Sequence, residues 1–428
     1  MFSRTLAATV LTYILLLTPA VGDNRDFQFR KIDVNLLECS NELDRHFSES
    51  GFILPEPGLN DYVQSIYSRL LAGRPAPENV HFAVRVLRDS TVQAFGLPNG
   101  TIYLTTGMLA ALGNEGQLAG IVAREIAHVS LRHQYLQNRE ARTKKIAAKI
   151  ALVTSSETAG SVVFAILDHE GAFEWVYGNG YGEGKETEAD RDSVALMSAA
   201  GYDPRSTLRA LERLDENLEI EPQFMPYRSE GKLKKRILDI RRIIDTSKPA
   251  SLPDLSENDY LSHVSGAVLY NIGVDLESRR VRTSLARAKR LVNWKPDDGE
   301  LLLLLADAYR DLGARTPEPA QEELASRANH RWKLLRLTQE EEEKSLLDRP
   351  GGAELAKANE TMAAALYLKA IALAPSLPGA HRGLGMLYQK QARNDDAARE
   401  YRRFLELAPA ADLDRLRIQR RLDVLDKH

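Results

Sequence analysis

One cysteine, Cys39, stands in 428 residues, so no disulfide can form within the chain and the fold must rest on packing and polar pairing. A surplus of either charge is also missing: 57 Lys and Arg face 60 Asp and Glu, a net charge of −3. No basic face marks a nucleic-acid binder, and that class drops out. Long apolar runs are scarce. The run from Leu6 to Leu17 is shorter than the ~20 residues a membrane span needs, and the stretch Ile150 to Leu167 is interrupted by Glu157, so no transmembrane span is expected in the mature chain. With 43% hydrophobic and 27% charged residues, the composition is that of a globular protein, long enough for two or three domains.

What is present begins with a targeting pattern. Arg4 precedes the apolar run, and Pro19, Ala20 and Gly22 follow it. This is the layout of a secretory signal peptide over residues 1–22, cut after Gly22, which places the mature protein in the periplasm.

The stretch Leu118 to His133, LAGIVAREIAHVSLRH, organises the rest. Leu118, Ile121, Val122, Ile126 and Val129 recur at spacings of three and four, which predicts a buried helix. It carries Glu125 and His128 and is one residue short of the zinc-peptidase pattern HExxH, in which two histidines four apart bind the metal and the Glu activates water. Arg124 holds the place of the first histidine. A guanidinium has no lone pair to donate and stays charged, so it is no zinc ligand. A Glu and a His three apart on a helix are common, and alone they carry little. Downstream, Glu186 and Asp190 lie four apart on another predicted helix, Lys185 to Ala200. A catalytic zinc often takes a distant carboxylate as third ligand. Asp190 is placed to orient His128.

Around this core the periodicity predicts helices near Leu36–Phe47 and Leu59–Leu71, a strand over Val80–Val86, and a Pro98-Asn99-Gly100 turn leading to a strand at Thr101–Thr105. The basic stretch Arg139 to Lys149 reads as a solvated face. Helices follow at Arg205–Leu218 and Lys232–Ile244, and Lys248 to Pro253 reads as a linker.

Beyond the linker the pattern is repetitive. Ala374-Pro375 and Ala408-Pro409 each close a helix pair, 34 residues apart. Leu384, Gly385, Tyr388, Ala397, Tyr401 and Phe404 fall as in tetratricopeptide repeats. A charged insertion, about 314–354, interrupts a middle repeat, and Asp412–Asp426 reads as a capping helix. The expected domains are therefore a signal peptide (1–22), a domain over 23–250, and an all-α repeat solenoid over 251–428.

Four motifs in order, QAFGLPNGTIYLTTGML, AREIAHVSLRH, ETEAD and AGYDP, resemble the gluzincin metallopeptidases of the CAAX prenyl protease and HtpX type. The repeats point to their soluble periplasmic branch. The resemblance implies an α+β, mostly helical fold with a small sheet in the peptidase domain. It implies Glu125 as catalytic base, His128 and Glu186 as zinc ligands and Asp190 as the carboxylate behind them. His133 corresponds to a histidine that does not bind metal and, five residues from His128, points elsewhere. Gln93, Ala94, Phe95, Gly96, Leu97, Pro98, Asn99 and Gly100 would line the substrate cleft, where an extended peptide adds as a strand. Three departures stand against activity: Arg124 itself, Gly182-Glu183 where the family commonly has Ser-Arg, and Met225-Pro226 where it often has His-Pro. The expectation is a zinc site that is incomplete and a chaperone or adaptor for unfolded or assembling envelope and outer-membrane proteins. An active zinc endopeptidase degrading misfolded outer-membrane proteins and a purely structural repeat scaffold are the alternatives.

Overall fold

A computed structural model describes residues 27–72, 74–148, 181–217, 230–277, 280–312 and 351–427. The expected signal peptide, the Ile150–Leu167 stretch, Met225-Pro226 and nearly all of the charged insertion lie outside the described residues. The chain divides into two compact units between His263 and Val264.

The first unit opens with α1 (Lys31–Glu49) and α2 (Pro57–Leu71), both longer than the periodicity predicts because their polar first turns add to the apolar stripe. Three strands follow, β1 (Ala83–Leu87), β2 (Ala94–Gly96) and β3 (Thr101–Thr105), in the order β1-β3-β2. β1 runs parallel to β3 and β2 antiparallel to it. The strand expected from Val80 starts late. Asn79 takes φ +61°, Val80 N–H donates to Pro77 O and His81 N–H to Asn99 O, so the first residues of the alternation are spent on a turn. All five residues of β3 are buried. On one side of the sheet α1 supplies Leu36, Leu43 and Phe47, which pack with Phe95, Leu97 and Tyr103.

A short α3 (Thr106–Ala111), capped by Thr105 Oγ1, leads to the central helix α4 (Glu115–Ser130), capped by Asn114. The helix stops three residues before its predicted end: Arg132 adopts φ +55° and α5 (His133–Ala148) begins on a new axis. Arg139 on α5 is not part of a solvated face; it pairs with Asp33 at 2.5 Å and donates to Gln28 O. α6 (Glu183–Ala199), α7 (Arg205–Glu216) and α8 (Glu230–Ser247) complete the packing around α4. α7 approaches α4 closely because Gly120 has no side chain: a Cβ there would lie 2.4 Å from Thr207 Oγ1 and 2.9 Å from its Cα.

Lys248 to Ser256 is irregular, as the linker reading expects. The start of α9 (Glu257–Glu277) nevertheless belongs to the first unit, since Tyr260 OH donates to Leu109 O and His263 stacks on Tyr62 at 4.0 Å. The second unit continues with α10 (Val281–Trp294), α11 (Gly299–Leu312), α12 (Gly352–Leu373), α13 (Pro378–Lys390), α14 (Asn394–Leu407) and α15 (Arg415–Leu425). Small residues let the helices close up: Gly383 faces the Tyr367 ring and Gly385 the Tyr401 ring. Leu384, Tyr388, Ala397, Tyr401 and Phe404, the residues of the repeat pattern, share one core with Tyr367 and with Ile418 and Leu422 of the last helix.

The close α4–α7 contact yields a prediction. Gly120→Ala forces α7 outward and lowers the stability of the first unit by roughly 1–3 kcal/mol, the usual cost of overpacking. Urea unfolding checks it, and an unchanged midpoint contradicts the packing described.

Candidate functional site

α4 and α6 face one another and bring Arg124, Glu125, His128, Glu186 and Asp190 together. The guanidinium is 6% exposed and spans the site. Its Nη1 donates to Glu125 Oε1 at 2.5 Å, its Nη2 donates to Glu186 Oε2, and Nε lies 4.0 Å from Asp190 Oδ1. Asp190 in turn accepts from Arg236 of α8 at 3.0 Å. Glu186 Oε1 accepts from Tyr181 N–H at 3.1 Å. Glu186 is therefore pinned through both oxygens, and Glu125 is tied to a cation.

The charges explain the titration directions. Burial raises Glu125 toward its protonated form, only partly opposed by Arg124. Burial also acts to raise Glu186, but Arg124, with Arg236 behind it, outweighs this and holds the carboxyl far below the usual range. Two guanidinium groups thus face three carboxyls, and Glu125 is the one that burial pushes toward its neutral form.

His128 has no exposure, stacks on Tyr181 at 4.2 Å, and is pushed down to about 3 by burial and by Arg124. Its Nδ1 lies 2.9 Å from Nδ1 of His133. This corrects two expectations. His133 does not point elsewhere, because the helix break at Arg132 folds it back onto His128. Asp190 does not orient His128; it is engaged by Arg236 and lies beside Arg124. The partner is instead His133, whose Nε2 meets Glu188 Oε2 at 3.3 Å. A carboxylate only accepts, so His133 Nε2–H donates to Glu188, and neutral His133 accepts at Nδ1 from His128 Nδ1–H. Nε2 of His128 is left with a lone pair and no hydrogen bond, 3.6 Å from Glu186 Oε2. The signal for this relay was present in sequence only as the unassigned Glu188.

Zinc does not fit this arrangement. His128 Nε2 and Glu186 converge as two ligands would, but the third direction is filled by a guanidinium that is bonded to Glu186 and Glu125. Among the described residues no group of three His, Cys, Asp or Glu side chains is arranged to hold a metal ion. A catalytic zinc takes three protein ligands and a water.

Gln93 to Gly100, expected along a cleft, are buried over their whole length. Two of their carbonyls are already taken: Gly96 O accepts from Gln134 Nε2 at 3.2 Å and Pro98 O from Tyr135 OH at 3.1 Å, both from α5. Asn99 N–H donates to Ser40 Oγ of α1. A Cβ on Gly96 would meet Val129 at 2.9 Å, so β2 lies directly on α4. A peptide pairing at Gly96 or Pro98 would have to displace these α5 side chains.

Two predictions follow from the charge network. Arg124→Ala leaves the half-buried Glu186 without its counter-ion and costs roughly 1–3 kcal/mol, the range for a polar group left without its partner; an unchanged midpoint in urea unfolding contradicts it. His128 stays neutral in the fold while its unfolded form takes a proton below about 6.5. The unfolded state then binds more protons, so stability falls as pH drops from about 6.5 toward about 3, by up to ~1.4 kcal/mol per pH unit for one proton. Urea unfolding at pH 7 and 5 measures the fall, and His128→Gln must flatten it; equal slopes in the two proteins contradict the assignment.

Comparison with known proteins agrees with this architecture. Residues 57–251 match peptidase family M48. The putative beta-barrel assembly-enhancing protease of Vibrio cholerae is 28% identical over 171 residues, 38% of this chain and 34% of that protein. The beta-barrel assembly-enhancing protease of Escherichia coli K12 is 24% identical over 240 residues, 54% of this chain and 47% of its own length. The mitochondrial metalloendopeptidase OMA1 of Schizosaccharomyces pombe is 30% identical over 159 residues, 36% of this chain and 43% of that one. Each match spans less than half of the relative's length. By sequence, residues 57–251 are similar to peptidase family M48, and the chain resembles the beta-barrel assembly-enhancing proteases.

Proposed function

We propose that the chain is a periplasmic, non-hydrolytic member of its family, a chaperone or adaptor that binds unfolded or assembling envelope and outer-membrane proteins. One observation carries the reading: the Arg124 guanidinium stands where the first zinc ligand belongs and engages both Glu125, the would-be base, and Glu186, the would-be ligand. Without a metal to polarise a peptide carbonyl and acidify water, and with its base neutralised, the site lacks the means to cleave a peptide.

The envelope as the place of action is supported by the signal-peptide pattern of residues 1–22 and by relatives named for β-barrel assembly. Among the described residues no helix is long and apolar enough to cross a membrane. We read the helix pairs of the second unit as tetratricopeptide repeats, whose groove usually holds a peptide or a protein. The 34-residue spacing of Ala374-Pro375 and Ala408-Pro409 and the shared core of α11 to α15 support this. In this reading the first unit is the 23–250 domain extended by the start of α9, and partner binding is divided between that domain and the repeats.

The test is zinc content and casein cleavage for the purified native chain beside Arg124→His. The expected result is no stoichiometric zinc and no cleavage in the native protein. The histidine variant should gain zinc, because His128 Nε2 and Glu186 already converge, and with zinc a chelator-sensitive cleavage that Glu125→Gln removes. Stoichiometric zinc together with chelator-sensitive cleavage by the native chain would make it a working endopeptidase and end the proposal.

A further inference from the structure

Away from Arg124, a second buried guanidinium has no counter-ion. Arg132 closes the turn between α4 and α5 with φ +55°, a conformation that strains a long side chain and suits glycine. It is 2% exposed, and its Nε and Nη1 make no hydrogen bond. Among the described residues no carboxylate forms an ion pair with it. Burial pushes its pKa down against the pull of Tyr135, Glu78 and Asp33, and neither of the two carboxylates makes an ion pair with it among the described residues. What it touches is aromatic: its Cζ lies 4.5 Å from the Phe27 ring centroid and 5.0 Å from that of Phe29. Arg139 approaches the same Phe27 ring at 4.3 Å, but Asp33 neutralises it.

The segment that covers Arg132 has a pattern. Phe27 and Phe29 are half-buried, Gln28 and Arg30 exposed, the alternation of an extended chain. Both rings meet Tyr135, at 5.8 and 5.3 Å. Ring faces recover part of the hydration a buried guanidinium loses, and a carboxylate would recover far more. This seat therefore holds two aromatic rings, and the carboxylate beside it, Asp33, is bonded to Arg139 and leaves Arg132 without an anion of its own.

We propose that Arg132, Tyr135 and Arg139 form a peptide-binding seat for extended segments with two aromatic residues two positions apart followed by a carboxylate, and that Phe27-Gln28-Phe29 fills it as a self-ligand. The strap continues into Arg30, so it brings the rings without the anion and competes weakly. A partner segment that supplies both displaces it, with the rings as anchors and the guanidinium as the selective group. Neither Arg124 nor its carboxylates take part, so the fate of the zinc question leaves this seat untouched.

Calorimetric titration of the full mature chain with three peptides tests it: acetyl-Phe-Gln-Phe with a free carboxylate, acetyl-Phe-Gln-Phe-Asp amide, and acetyl-Phe-Gln-Phe amide. At least one carboxylate peptide should bind at least tenfold more tightly than the neutral amide, and the first two peptides together tell a terminal from a side-chain carboxylate. Phe27→Ala/Phe29→Ala should raise that affinity at least tenfold by removing the self-ligand, and Arg132→Gln should abolish the preference for carboxylate. Arg132→Gly, which relieves the backbone and removes the unpaired cation, should raise the Tm of the peptide-free chain, where a purely structural arginine would lower it. Equal binding of acid and amide forms, a preference that survives Arg132→Gln, or no binding to the native chain at millimolar peptide overturns the proposal. The last criterion decides the matter if the double variant does not fold.

Discussion

The bond on which the first unit's site depends is the one from a single guanidinium to two carboxylates on two helices. Arg124 of α4 reaches Glu125 beside it and Glu186 across on α6, and so does the joining that a dication performs in a metallopeptidase. A charge of +1 replaces +2. The shortfall is met by Arg236, which takes Asp190, and by the rise in Glu125 that burial causes. The result ties α4 to α6 through protein groups alone. Because a buried pair of this kind only offsets its own desolvation, its contribution is to fix the helix arrangement more than to add net stability.

The same substitution changes the role of the residues behind it. His128 keeps a bare Nε2 facing Glu186, and its other nitrogen is held by the His133–Glu188 relay. That relay exists because α4 ends at Ser130 and the chain turns sharply through Arg132. One backbone turn thus sets the direction of His128, places Gln134 and Tyr135 on the carbonyls of Gly96 and Pro98, and buries Arg132 under the N-terminal strap. The closed β2 edge and the neutral histidine share this origin.

Much of this was legible in the residues. The 3-and-4 spacing from Leu118 to Val129 marked the central helix and the alternation through Thr101–Thr105 marked β3, and Arg124, Glu125, His128 and Glu186, singled out on two separate stretches, come together between α4 and α6. That Arg124 shares a face with His128 was also readable, since residues four apart on a helix lie on the same side. The end of α4 was not. Nothing in VSLRH announces a left-handed residue, because arginine rarely adopts one, and periodicity carries a helix on until tertiary packing stops it. For the same reason Asp190 looked like the partner of His128: spacing along α6 puts it on the correct face but cannot show that Arg236, on a helix beginning about forty residues later, claims it first. The burial of Gln93 to Gly100 depends on α1 and α5, and an alternating sequence reads alike whether its edge is open or covered.

The central claim is that the guanidinium occupies the metal's place in the native protein. The direct measurement is a crystal structure of the native chain grown in excess zinc, with anomalous scattering recorded at the zinc edge. The account predicts Arg124 bonded to Glu125 and Glu186 and no anomalous peak within reach of His128 Nε2. A peak coordinated by His128 and Glu186, with the Arg124 side chain turned out of the site, would contradict it.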